Sequence, residues 1–269
     1  MRNVFRKIGL LLVLFCMAIS VFSFSGCVKT YNEYDNAELY VSGNTTYQTK
    51  DVSKVQISWV DGNVRLQQTD KETLSVSETA SASNEKDRVH SYLDGDTLRI
   101  EYCASGRRID VDDEYKDLCV EIPVGVELVL NTVSANVTAE KLSLEDVAIN
   151  TVSGNIVLGE LTAKSVEFVS VSGDIVIEPV DCTALQATNV SGNLTLAIKA
   201  LQTAELTTVS GNVKLLLQDG IGASVQIEVD SGALHTDKAY EKKATDKYIF
   251  GDGACECTVA TVSGNIYVQ

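Results

Sequence analysis

The sequence has little of what catalytic chemistry uses most. Histidine occurs twice, at His90 and His235, which leaves little material for a His-based triad or a zinc site. Two prolines, one tryptophan and 18 glycines in 269 residues exclude collagen-like and proline-rich classes. No Cys-x-x-Cys spacing occurs, so zinc-knuckle and thioredoxin-like readings have no support. Gly-x-Ser-x-Gly, His-Glu-x-x-His, a P-loop and the EF-hand loop are also missing. Basic residues are scarce as well. Arg2, Arg6 and Lys7 stand ahead of Cys27, and the chain beyond Gly26 carries 19 Lys+Arg against 37 Asp+Glu, a net charge of −18. Such a surface repels a polyanion, so nucleic acid is excluded as a partner. With 45% apolar residues the chain can still build a substantial core.

What is present begins with an address. A basic stretch, Met1 to Lys7, is followed by an apolar run from Ile8 to Phe22 and then by Ser23-Phe24-Ser25-Gly26-Cys27. That order is the order of a secretory signal. A small residue directly before cysteine resembles the lipobox of bacterial lipoproteins, although Phe24 stands where leucine is usual. The resemblance implies removal of residues 1–26, a thioether-linked lipid on Cys27 and an extracytoplasmic, lipid-anchored protein with residues 27–36 as a tether. The alternative is an uncleaved anchor from Ile8 to about Val28. Of the other cysteines, Cys182 falls in an apolar column of the repeat described next. Cys255 and Cys257 would share one face of a strand and read as small apolar residues, and pairing among Cys103, Cys119, Cys255 and Cys257 is left open.

A repeat carries the fold. Val-Ser-Gly-Asn and its variants place Ala135, Gly154, Gly173, Gly192 and Gly211 at a constant 19-residue step, with Gly232 following after 21 and Gly264 after 32. Weaker copies stand at Gly43, Gly62 and Gly95. Self-similarity at a period near 20 is the signature of a solenoid. Apolar residues keep one phase through the repeat. Val137, Ile156, Ile175, Leu194 and Val213 lie two after the glycine position, Ile149, Phe168, Ala187 and Leu206 five before it, and Leu144, Ala163, Cys182 and Leu201 ten before it. Alternation by two on each side predicts two strands joined at a tight turn, with stacked coils turning each column into a ladder. The turn ladder comprises Ser153, Gly154, Asn155, Ser172, Gly173, Asp174, Ser191, Gly192, Asn193, Ser210, Gly211, Asn212, Ser263, Gly264 and Asn265. Glycine there is expected to supply φ > 0, and the serine and Asn/Asp columns to bond from coil to coil. The polar row reads as turn architecture, with a binding strip as the other reading.

Residues 37–131 read as less regular strands, and residues 132–269 as the regular repeat interrupted by a Lys-bearing insertion at 236–253 (Lys238, Lys242, Lys243, Lys247). A second excursion, 104–117, carries Arg107-Arg108 and then Asp110, Asp112, Asp113, Glu114 and Asp117. Its carboxylate spacing matches no known Ca²⁺ loop, and a solvated charged loop is the reading adopted, with Ca²⁺ binding at 110–117 left open.

Ile57-Ser58-Trp59-Val60-Asp61-Gly62-Asn63-Val64, Leu93-Asp94-Gly95-Asp96-Thr97-Leu98, Lys116-Asp117-Leu118-Cys119-Val120-Glu121-Ile122-Pro123 and the Thr-Val-Ser-Gly-Asn coils occur in that order. Over residues 37–269 the chain resembles the bacterial β-strand-repeat family of unknown function labelled "putative adhesin", in its lipoprotein form. The resemblance implies a right-handed parallel β-solenoid on the cell envelope, with no catalytic residues; no metal and no cofactor is expected either. The expected function is that of a non-catalytic binding, adhesin-like or structural module, anchored to the membrane through Cys27 and facing an envelope polymer, glycan or protein ligand. An envelope-stress accessory protein gathering cationic peptides or divalent ions is the alternative. A polysaccharide-processing β-helix enzyme is the rival class, but residues 142–217 offer only Lys164, Lys199 and Lys214 as cations against an acidic substrate.

Overall fold

A computed structural model describes residues 31–80, 84–109 and 116–269. Cys27, the preceding signal and the acidic stretch 110–115 lie outside the described residues. The described chain is all-β apart from short 3₁₀ turns. Strands β1 (Tyr31–Asn32), β2 (Val41–Ser42), β3 (Thr45–Gln48), β4 (Lys54–Trp59), β5 (Asn63–Thr69), β6 (Thr73–Ala80), β7 (His90–Asp94), β8 (Thr97–Glu101) and β9 (Arg107–Arg108) form the first part. They are followed by β10 (Lys116–Pro123), β11 (Glu127–Thr132), β12 (Asn136–Ser143), β13 (Asp146–Thr151), β14 (Ile156–Ser172), β15 (Ile175–Ser191), β16 (Leu194–Ser210) and β17 (Val213–Leu217). The last are β18 (Ala223–Ser231), β19 (Leu234–Thr236), β20 (Tyr240–Ala244), β21 (Lys247–Phe250), β22 (Cys255–Ser263) and β23 (Ile266–Val268).

Two parallel stacks, joined at the Gly-containing turns, enclose one core. The stack preceding the turn runs β8–β4–β11–β13, then the second halves of β14, β15 and β16, then β22 and β18. The stack following the turn runs β10–β5–β12, then the first halves of β14, β15 and β16, then β17, β23 and β19. Val137, Ile156, Ile175, Leu194 and Val213 pair in one unbroken column at the 19-residue step, and Ile266 and Leu234 continue it. All but the outermost, Leu234, are essentially inaccessible to solvent, because period-two alternation sends every second side chain inward. Cys182 is buried in the column expected of it. The architecture is thus a mostly parallel, solenoid-like stack.

Three features depart from the sequence reading. First, the order of coils in space is not their order in the chain. The coil β22–β23 lies directly on β16–β17, and the earlier coil β18–β19 is pushed to the outside. The two irregular steps at the end of the repeat therefore belong to a ladder that reads Gly211, Gly264, Gly232. Second, the weak upstream copies differ from one another. Gly62 joins the ladder, beneath Ala135, whereas Gly95 turns the antiparallel pair β7–β8, and β2 and β3 pair antiparallel with β7 and β6. Third, the insertion at 236–253 is largely an antiparallel hairpin, β20–β21, with β21 lying along the first half of β18.

Candidate functional site

The feature that organises the surface is the row of turns. Asn155 donates its backbone N–H to Asn136 Oδ1 (3.1 Å), Asp174 to Asn155 Oδ1 (2.9 Å), Asn193 to Asp174 Oδ1 (2.7 Å) and Asn212 to Asn193 Oδ1 (3.1 Å). Asn265 then donates to Asn212 Oδ1 (2.9 Å), and Ala233 to Asn265 Oδ1 (3.1 Å). At the other end Asn136 Nδ2 reaches Asn63 Oδ1 (3.4 Å), and Asn63 donates its backbone N–H to Asp117 Oδ1 (2.9 Å). An Asn or Asp is needed at each step because its short side-chain oxygen reaches the amide of the next coil. The row ends at Ala233, which has no side-chain acceptor to offer a further coil. The serine column bonds the same way: Ser134 Oγ donates to Val60 O (3.1 Å) and Ser153 Oγ to Val133 O (3.3 Å).

Glycine has a different cause from the one expected. Among the glycines of the regular coils only Gly192 (φ 152°) and Gly232 (φ 151°) have positive φ, while Gly154, Gly173, Gly211 and Gly264 do not. What excludes a side chain is the neighbouring coil. A Cβ on Gly154 would fall on the carbonyl oxygen of Ala135, one on Gly211 on that of Gly192, and one on Gly264 on that of Gly211. Ala135 keeps its methyl, fully buried, above Gly62, whose turn has a different backbone shape (φ 85°).

A second polar column lies outside the sequence reading. Thr132, Thr151, Ser170, Asn189, Thr208 and Thr261, each three residues before the glycine position, are all buried. Thr151 Oγ1 accepts from the Gly154 amide (2.9 Å), Thr132 Oγ1 from that of Ala135 (3.1 Å), and Asn189 Nδ2 donates to Gly173 O (2.7 Å). Recurrence of small hydroxyl or amide residues at the same 19-residue step is the signal that could have found them. In β4 the equivalent place holds Trp59, whose ring packs edge-on against Tyr102 at 4.9 Å. The ammonium of buried Lys116 sits 4.2 Å from the Tyr102 ring centroid and 5.1 Å from that of Trp59. Its charge is met by Glu78 (3.5 Å) and by the Asp87 carbonyl (2.5 Å), and Glu78 also pairs with Arg88. This network closes the N-terminal end of the core.

Of the described cysteines, all free thiols, Cys103, Cys182, Cys255 and Cys257 are buried packing residues, and Cys119 is half-buried on the outward phase of β10. Burial pushes the Cys103 thiol up to about 11 and the Cys182 thiol up to about 12. Cys255 and Cys257 face the core side by side, with sulfurs 3.3 Å apart. A hydrogen bond from the Cys257 thiol lowers the pKa of Cys255, and the same bond, with burial, holds Cys257 protonated. Among the described residues, no group of three or more His, Cys, Asp or Glu is placed to hold a metal ion.

The outward rows are acidic. Glu167, Gln186, Glu205 and Thr258 line up across the stack that precedes the turn, flanked by Ser165, Ala184, Thr203 and Glu256. On the opposite face, hydrogen bonds from Lys141 (2.7 Å) and Lys199 (3.0 Å) hold Glu160 ionised, its pKa below the usual carboxylate value. One carboxylate differs. Glu101 on β8 points outward, yet is buried; its pKa is raised to about 7 chiefly by desolvation, opposed by a hydrogen bond from Ser58 and by Arg99. Its antiparallel neighbour is His90, and Tyr34, Tyr40 and Tyr92 form a chain of ring contacts at 4.5 and 5.4 Å beside it. Burial also raises the pKa of Tyr34 and that of Tyr40, the latter to about 12.

These stacked Val-Ser-Gly-Asn turns define a class of repeat protein, and the sequence matches the model of one family: residues 52–178 and 125–269 fit the Toastrack DUF4097 domain, so the chain belongs to that family. No match is found among curated proteins. The fold is similar to a "putative adhesin" of Bacteroides fragilis (14% identity, TM-score 0.46, covering 84% of this chain and 96% of that one). It is also similar to a "putative adhesin" of Parabacteroides distasonis (14%, 0.45, 85% and 97%). A "putative lipid binding protein" of the same organism is a further neighbour (16%, 0.43, 83% and 96%).

Proposed function

We propose that the chain is an envelope lipoprotein, anchored through a lipid on Cys27, whose right-handed solenoid of 19-residue coils is a non-catalytic binding or structural module. The observation that carries this reading is the amide ladder from Asp117 to Ala233. It locks each coil to the next, so the outward rows repeat as a stiff array about 4.8 Å apart. Such an array suits repetitive contact with a polymer or glycan, or a fixed standoff from a membrane. Two acyl chains on one cysteine would hold it there durably.

The test has two arms. Metabolic labelling with a clickable fatty acid should tag the wild-type chain at a mass lacking residues 1–26 and leave Cys27→Ser as an unlabelled precursor. Label-free wild type that still sediments with membranes defeats the lipid anchor. Separately, the purified protein should bind at least one class of envelope polymer or host glycan, and failure across such a screen defeats the binding role. A second reading, an accessory protein for envelope stress that gathers cationic peptides or divalent ions, is favoured by the charge of the coils: residues 142–235 carry 11 carboxylates against three lysines.

A further inference from the structure

The C-terminal end of the stack is only half closed. β21 covers β18 over Ala223–Gln226, and the Ile227 amide donates to Asp246 O (2.8 Å). Beyond that point no described strand lies on the outer side of β18 or β19. Because alternate residues of a strand turn their backbone groups to the same side, the N–H and C=O of Val229 face the open side with the N–H of Ile227, whereas Ser231, paired with Ser263, turns back toward β22, its carbonyl accepting from the Gly264 amide (3.0 Å). Val229 and Leu234, both partly buried against the core, form an apolar shelf beneath this edge. Glu228 and Asp230 stand on its outer face, opposite in phase to core-facing Val225 and Ile227.

We propose that residues 227–234 form a strand-addition site for an extended cationic peptide segment, which would lie antiparallel to β18 and continue the row begun by β21. Backbone bonds to the N–H and C=O of Val229 would hold it. Alternate lysine or arginine side chains would meet Glu228 and Asp230, and the apolar residues between them would cover Val229 and Leu234. Charge selects this occupant over a second copy of the chain. Two copies paired antiparallel about Val229 set Glu228 beside Asp230 of the other copy, twice, and like charges directly across a strand pair repel. The proposal rests on the binding-module reading above and names a partner chemistry and a place for it.

Fluorescence anisotropy with the purified full chain tests it, using a labelled peptide of alternating lysine and valine. Wild type should bind. Val229→Pro removes the outward amide at an edge position where proline is tolerated, and should weaken binding at least tenfold. Exposed Asp230→Lys should do the same without touching the core, which keeps the test valid if Val229→Pro fails to fold. A peptide N-methylated at alternate amides, with its charge intact, should also bind at least tenfold more weakly. Equal affinity for the methylated peptide would reduce the effect to bulk electrostatics and overturn the proposal. So would undiminished binding by Asp230→Lys, no binding at all, or a wild-type dimer in sedimentation that Asp230→Lys strengthens. A positive polymer screen beside a failed peptide test overturns this inference alone.

Discussion

Asn265 rests on Asn212, 53 residues earlier in the chain, with its amide 2.9 Å from the Asn212 side-chain oxygen, although every earlier step of the ladder from Asn136 to Asn212 spans 19. The last coil of the chain is therefore an internal coil of the stack, and the coil made before it is the outer one.

That arrangement makes the C-terminus indispensable to residues that precede it. The strands β18 and β19 find their parallel partners only in β22 and β23. A chain ending at residue 254 should lose amide hydrogen-exchange protection across residues 223–236 and be no more stable to denaturant than one ending at residue 217. Persistent protection at Ser224, Gln226 and Glu228, whose amides face β22, in the chain ending at 254 would contradict the intercalated order.

Close approach, more than backbone conformation, should dominate the cost of replacing a coil glycine. Gly154→Ala forces a Cβ onto the Ala135 carbonyl and should destabilise by about 2–3 kcal/mol, in the range of overpacking. Gly95→Ala, with open space but φ 64°, should cost about 1 kcal/mol. Thr195→Val, on a strand, should stay within about 0.5 kcal/mol of wild type. Chemical denaturation ranks the three, and a Gly154→Ala chain as stable as Thr195→Val would remove the steric argument.

If the 19-residue unit is one coil, deletion of residues 155–173 removes a whole rung and restores the phase of every column. That chain should melt cooperatively with β-type circular dichroism. Deletion of residues 155–163 breaks the phase on one side and should not. Equal loss of cooperativity in both would refute the unit length.

Glu101 should make stability fall as pH rises. Its folded pKa, about 7, lies above the ordinary value of 4.5, so burying it costs nothing below pH 4. The cost grows between the two values and is complete above pH 7. Glu101→Gln, which cannot ionise, should match wild type near pH 4 and exceed it by about 3 kcal/mol at pH 8. A difference between the two chains that is flat with pH would show that Glu101 is not desolvated.

The repeat made the core columns legible, since Ile156, Ile175 and Leu194 announce their phase without any knowledge of neighbours. Coil order was not legible at the C-terminus. The Ser-Gly-Asn of 263–265 fits a turn equally well on any exposed coil, and nothing local says that it enters beneath Gly232. The reason for glycine was hidden on similar grounds: Gly154 shows a missing side chain but not the Ala135 carbonyl that fills the gap. Nothing in the sequence sets Glu101 apart from the other charges of the chain, because the packing of Tyr34 and Tyr40 beside it is a matter of tertiary structure alone. The polar column at Thr132, Thr151 and Asn189 does recur in the sequence, but a hydroxyl or amide there reads as solvent-facing until its partner, the amide or carbonyl of a turn, is known.

The intercalated last coil also sets a constraint on time. A ribosome delivers β18 and β19 before β22 and β23 exist, so at that moment the growing stack ends at β16–β17, and the outer coil has no proper seat. The first coils can be zipped up in the order they are made; the outer coil must wait for the residues of β22 and β23.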